Sequence, residues 1–161
     1  STENLASMMA IINCYDEDEQ ERCFAHPLCV PGSDATALAP DGPLADAFFH
    51  GAYTWAAWYF RFMVRQRAAL SAEEAIHRLS GRPATILGLS DRGVVRAGAR
   101  ADLVVFDPDQ FAERGTTFEP NQLATGMQHV FVNGVQTLRA GAATGQRAGR
   151  VLRRTRDQGQ W

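Results

Sequence analysis

The chain has 161 residues, of which 45% are hydrophobic and 21% charged, with a formal net charge of -2. That is the composition of an ordinary soluble globular protein, long enough for one domain or parts of two, and it offers no strong electrostatic pull toward nucleic acid or a membrane surface. All 16 basic residues are arginine, which excludes Schiff-base lysine chemistry and a modified-lysine metal bridge within the chain.

Cys14, Cys23 and Cys29 are odd in number and lack a C-x-x-C spacing, so they read as buried free thiols of a cytoplasmic protein rather than a disulfide framework. No apolar stretch approaches the ~20 residues that span a bilayer. The opening STENLASMM has no basic region and does not read as a signal peptide. A chain opening at Ser1 reads as a processed product or a piece of a longer protein.

In chain order, residues 4–9 are weakly helical and 10–13 form a short apolar run suited to a strand. Asp16 followed by Glu19 resembles a capping box and predicts a helix over residues 17–25, ended by His26-Pro27. Leu28-Cys29-Val30 is short and apolar and predicts a buried strand of a parallel sheet. Pro31-Gly32-Ser33-Asp34 is then the loop at that strand's C-terminal end, continuing to residue 47. A helix is predicted over residues 53–67. Tyr53, Ala56, Ala57, Phe60 and Val64 share one face, and Trp55, Trp58, Tyr59 and Phe62 make the others apolar, which predicts burial between layers or against a partner chain.

Ser71 and Glu74 form a second capping box, opening a helix to about Leu79 with Gly81 as its C′ residue; Arg82-Pro83 opens a short third helix ended by Gly88. The period then changes. Strands are expected over residues 93–96 and 101–106, the second stopped by Asp107-Pro108. Residues 128–132 and 135–138 flank Asn133-Gly134, a strong hairpin signal for a type I′ turn.

Several segments meet a family pattern in their order and spacing. PGSDATALAPDGPL (residues 31–44) resembles the loop after the eighth barrel strand in D-aminoacylase-like members of the amidohydrolase superfamily, the N-acyl-D-amino-acid deacylases. LSAEEAIHRLSGRPA (70–84) is similar to that family's helix pair after the barrel, and DRGVVRAGARADLVVFDP (91–108) to the passage from barrel to small β-domain. VFVNGVQTL (130–138) and TGQRAGRVLR (144–153) are similar to its closing hairpin and tail. The resemblance implies an α/β fold: the C-terminal fragment of a TIM-like (β/α)8 metallohydrolase barrel, residues 1–90, followed by the C-terminal part of a small β-sandwich, residues 91–161.

The resemblance also implies a metal-dependent hydrolase of a linear amide C–N bond. Its cofactor would be Zn²⁺, one or two divalent metals, and its substrate a small acyl-amino-acid-like molecule. Zinc lowers the pKa of bound water and polarises a carbonyl, while a carboxylate moves the water's proton to the leaving amine. Asp34 is the implied general acid/base, and in some members also a metal ligand. Its local chemistry, Ser-Asp after Pro-Gly, equally suits a turn residue. Ser33 and His50 are the substrate-binding candidates. The family stretch often reads H-P-R, its Arg suited to hold a substrate carboxylate; here Gly51 and Ala52 follow His50, so that Arg is absent. His50 equally suits a helix-start residue packed on Tyr53 and Trp55.

His26, His77 and His129 read as structural or solvated, and no H-x-H pair occurs, so the main metal ligands are expected upstream. Asp102 and Asp107 read as turn residues around a strand, and the arginines from 147 to 156 as a solvated tail. The expected partners are the substrate and the rest of the barrel, with a homo-oligomer compatible and neither nucleic acid nor membrane involved. The isolated chain is expected to be inactive. A non-catalytic standalone module, or a cyclic amidase of the dihydroorotase or hydantoinase kind, are the alternatives.

Overall fold

The computed structural model describes residues 15–35, positions 38, 41, 43, 45, 47 and 49, and residues 51–152. The helix and strand expected within residues 4–13, together with Cys14, His50 and Arg153, Arg154 and Arg156, lie outside the described residues.

The first helix, α1, spans Glu17–Ala25, and the Asp16 carboxylate caps it by accepting from Glu19 N at 2.7 Å. It has no fully buried residue. Ion pairs from Arg67 to Asp18 and to Glu21 (2.5 Å) hold it, and Phe24 packs edge-on against Trp58 and Tyr59. Helix α2 spans Trp55–Phe60 and passes directly into a π-helical segment, Arg61–Gln66. The expected single α-helix over this stretch is therefore corrected: it starts later and its second half is wound wider. Burial between layers is borne out, since Ala57, Tyr59, Phe60, Phe62 and Met63 are each 2% exposed or less. Such side chains contribute about 1.5–3 kcal/mol apiece for the large apolar ones.

Helix α3 spans Ala72–Leu79, capped by Ser71 Oγ accepting from Glu74 N at 3.2 Å. Helix α4, Gly81–Ile86, follows with no intervening loop. Gly81 follows Ser80, the C-cap of α3, and so holds the expected C′ position while also opening α4; a Cβ there would lie 2.7 Å from the His77 ring. Gly88, at φ +71, does end α4.

The second half folds as a four-stranded antiparallel sheet in the order β1-β2-β3-β4: Leu103–Phe106, Met127–Val132, Val135–Arg139 and Ala142–Ala143. Asn133 and Gly134 take positive φ at the β2–β3 turn, as a type I′ hairpin requires. The strand expected over residues 93–96 is a loop, with Val95 87% exposed. Phe106 of β1 and Phe111 after it close on Phe60 at 5.4 and 5.7 Å between rings, tying sheet to helices.

Leu28-Cys29-Val30 belongs to no sheet: Pro27 and Leu28 form a turn closed by Cys29 N donating to His26 O at 2.9 Å, and Leu28 is 84% exposed. The expected buried strand is corrected on this point. A parallel strand is buried only by neighbours on both sides, and none stands beside it among the described residues.

Candidate functional site

Asp34 lies on the loop that follows residues 28–30. It is exposed and sits in the left-handed region at φ 53. Asp tolerates this conformation better than most residues but still stores strain there, and strained polar residues concentrate both in turns and at functional sites. Pro31, three residues earlier, is buried and fixes the approach, while Gly32 has open space around it. Ser33 is half-buried, and its Oγ accepts from Ala35 N at 3.0 Å. That bond is an ST-turn, which turns the loop immediately around Asp34. Ser33 and Asp34 are thus together, whereas His50 lies outside the described residues.

The other acidic and histidine candidates fall into structural roles, as expected from the sequence. Asp102 pairs with Arg92 and accepts from Asn133 N at 2.7 Å, holding the hairpin turn. Asp107 accepts from Asp109 N and Gln110 N in a turn. His129 Nδ1 accepts from Ala140 N at 3.3 Å and meets Gln136 Nε2 at 3.1 Å, while His26 Nδ1 accepts from Leu28 N at 3.2 Å. Among the described residues no group of three or more His, Cys, Asp or Glu side chains is placed to hold a metal ion. Asp34 can offer one donor, so these residues do not by themselves fit a zinc centre.

Cys23 and Cys29 are free thiols, as expected, but they are not buried: Cys23 is exposed and Cys29 half-buried. Burial pushes the Cys29 thiol up from its ordinary pKa, against the opposing charge of Arg78. Both line a shallow hollow of about 460 Å³ with Arg22, His26 and Leu28. A second cleft of about 360 Å³ lies elsewhere, between the hairpin turn and the tail, lined by Asp91, Arg92, Arg100 and Arg150. Two of its arginines are already matched with acids, Arg92 with Asp102 and Arg100 with Asp91.

The sequence reading passed over a polar cluster behind the Asp34 approach. Arg78, only 5% exposed, donates from Nη1 to the carbonyls of Phe24 (2.6 Å) and His26 (3.0 Å), from Nη2 to Ala25 O (3.3 Å), and from Nε to Glu74 Oε1 (2.6 Å). Arg82 donates from Nη1 to Pro27 O (2.6 Å) and Cys29 O (3.2 Å) and from Nη2 to Glu74 Oε1 (3.4 Å). Only the Glu74–Arg78 pair, four residues apart on α3, was legible in the sequence; Arg82 stands on α4, and its carbonyl partners leave no sequence signal. Tyr59 lies in the same region, and its buried hydroxyl has no hydrogen-bond partner among the described residues. Burial raises its pKa, against the charge of Arg78.

Among the described residues no helix is long and apolar enough to cross a membrane. The model of the amidohydrolase family matches residues 26–138. The chain is 37% identical to an N-acyl-D-aspartate deacylase of Alcaligenes xylosoxydans xylosoxydans over 92% of its own length and 28% of that protein's. To an N-acyl-D-glutamate deacylase of the same organism it is 36% identical, over 90% and 28%. Among solved structures it resembles the N-acyl-D-glutamate deacylase of Bordetella bronchiseptica, complexed with zinc and a phosphonate mimic of the tetrahedral intermediate. That match has a TM-score of 0.69 at 36% identity, over 87% of this chain and 28% of that one. A D-aminoacylase described as having a binuclear metal centre matches at TM-score 0.56 and 37% identity, over 62% and 20%. The chain therefore spans a little over a quarter of the length of the curated deacylases it matches. On a family match that runs from the end of α1 to the last residues of the hairpin, this chain belongs to the amidohydrolase family.

Proposed function

We propose that this chain is the C-terminal portion of a metal-dependent hydrolase that cleaves the linear amide bond of N-acyl-D-amino acids. The observation that carries the reading is the likeness to the zinc- and phosphonate-bound deacylase along 87% of the chain. In this reading residues 1–90 complete a (β/α)8 barrel and residues 91–161 supply the C-terminal share of a small β-sandwich. Two features of the chain support that division. Leu28 and Val30 stand exposed where a barrel strand would bury them, and β1 ends its sheet with Val104 and Val105 each about half exposed.

Asp34 is the acid/base of the reaction in this reading. Its carboxylate takes a proton from the attacking water and delivers it to the leaving nitrogen, a role that needs an accessible carboxylate on a fixed loop at a strand's C-terminal end. Exposure of Asp34 and its hydrogen-bonded turn support that role. Asp34 also offers one metal donor; the remaining ligands belong to parts of the protein other than the described residues. Ser33 and His50 are proposed to border the substrate. Gly51 and Ala52 stand directly after His50, in place of an Arg, so the assay requires a panel of N-acyl-D-amino acids, the aspartate and glutamate derivatives included.

The test is Asp34→Asn in the full-length protein. Turnover should fall by about 10²–10⁴-fold, the usual weight of general acid–base catalysis, with the thermal midpoint unchanged. Turnover close to wild type would remove Asp34 from the chemistry.

A further inference from the structure

Asp34 can work only if the chain leading to it is held still, and among the described residues no neighbouring strand does that. The hydrogen bonds come from the side. Arg78 satisfies the carbonyls at the end of α1, where helix geometry leaves them without partners. Arg82 reaches further along and engages the carbonyls of Pro27 and Cys29, the latter five residues before Asp34. Glu74 accepts from both guanidinium groups and so sets their spacing.

The two arginines differ in what they hold. Arg78 is buried and serves the helix end, so its loss opens the core. The Arg82 side chain is 24% exposed and, apart from Glu74, bonds only the carbonyls of Pro27 and Cys29 beyond the helix. A guanidinium is a planar fork with fixed donor directions, which makes it suited to register a backbone.

We propose that Arg82, braced through Glu74 against Arg78, is a positioning residue for Asp34: it fixes the carbonyls of residues 27 and 29 and through them the place of the Asp34 carboxylate. The inference rests on the reading of Asp34 as the acid/base. A displacement of about 1 Å at such a group costs on the order of 10²-fold in rate, so loss of the clamp should appear in kcat and not in substrate affinity.

The experiment uses Arg82→Met, Arg82→Lys and Asp34→Asn in the full-length protein, singly, with Arg82→Met also combined with Asp34→Asn. Arg82→Met should lower kcat about 10–100-fold with KM within about threefold of wild type. Arg82→Lys keeps the charge and a donor, and should recover part of the loss. In the Asp34→Asn background Arg82→Met should cost nothing further, because the group it positions is already gone. If Asp34→Asn lowers turnover by about 10²–10⁴-fold while Arg82→Met leaves kcat intact, raises only KM, or adds its full loss to that of Asp34→Asn, the positioning role is overturned and the acid/base reading survives. If Asp34→Asn turns over near the wild-type rate, that reading fails and the positioning role fails with it.

Discussion

Arg61 and Glu113, 52 residues apart in the chain, meet through a forked ion pair: Nε lies 3.0 and 2.9 Å from the two carboxylate oxygens, and Nη2 lies 2.6 Å from Oε1. The pair joins the π-helical segment to the loop after β1, beside the Phe60–Phe111 contact. The guanidinium's pKa is raised chiefly by its hydrogen bonds to Glu113. Both side chains are partly shielded from water, at 30% and 18% exposure. A fork of this kind exceeds the ~0–1 kcal/mol of an exposed pair but is not fully desolvated.

Glu113→Gln should therefore destabilise the protein by about 1–2 kcal/mol, read as a lower urea midpoint at unchanged slope. An unchanged midpoint would show that the aromatic contacts and the hydrogen bonds of Arg65 to Pro108 O and Phe111 O hold the sheet to the helices without this pair. A changed slope would point to altered compactness instead.

Glu74 gives the fold an acid-sensitive contact. Its hydrogen bond from Arg78, with the charges of Arg78 and Arg82 behind it, holds its carboxyl below the ordinary value near 4.5. A carboxyl with a lowered pKa in the folded state contributes stability that is present above its unfolded value and is lost as pH falls through the folded one. Glu74→Gln should therefore be less stable than wild type at pH 7, and the gap between the two should close as pH drops below about 4.5. Thermal midpoints of both proteins across pH 3–7 check this. A gap of constant size over that range would mean that Glu74 acts by shape and not by charge.

What the sequence made legible was chemistry over three or four residues. Asp16 with Glu19, Ser71 with Glu74, and Asn133-Gly134 each fix a boundary from side chains adjacent in the chain, and each is where it was expected. Pairing across distance was not legible. Leu28-Cys29-Val30 has the composition of a buried strand, yet composition does not supply the neighbours that would bury it. The residues of the 61–66 segment favour any helix, and nothing in their spacing distinguishes π from α winding. For the site, Asp34 came from a motif. Arg78 and Arg82 did not, because arginines that bind backbone carbonyls leave no partner residue type in the sequence to search for.

Gly93 shows the same limit from the side of packing, and it yields the sharpest stability prediction. Its sequence context suggested the start of a strand, but the residue sits at φ +82 with its α-carbon against the start of α4. A Cβ there would lie 2.5 Å from the Ala84 Cβ, 2.9 Å from Ser80 O and 3.2 Å from the Gly81 Cα. None of these is the end of a flexible side chain that could swing away. Gly93→Ala combines the cost of a left-handed conformation, about 1–2 kcal/mol, with overpacking of about 1–3 kcal/mol. The expected loss is about 2–5 kcal/mol, measured by denaturant unfolding. Gly98→Ala is the control: it shares the positive φ, at +84, but has open space around it, so it should cost only the conformational share. Equal losses at the two positions would mean that backbone strain alone sets the need for glycine, and that the close contact between the residue 93 loop and α4 relaxes without cost.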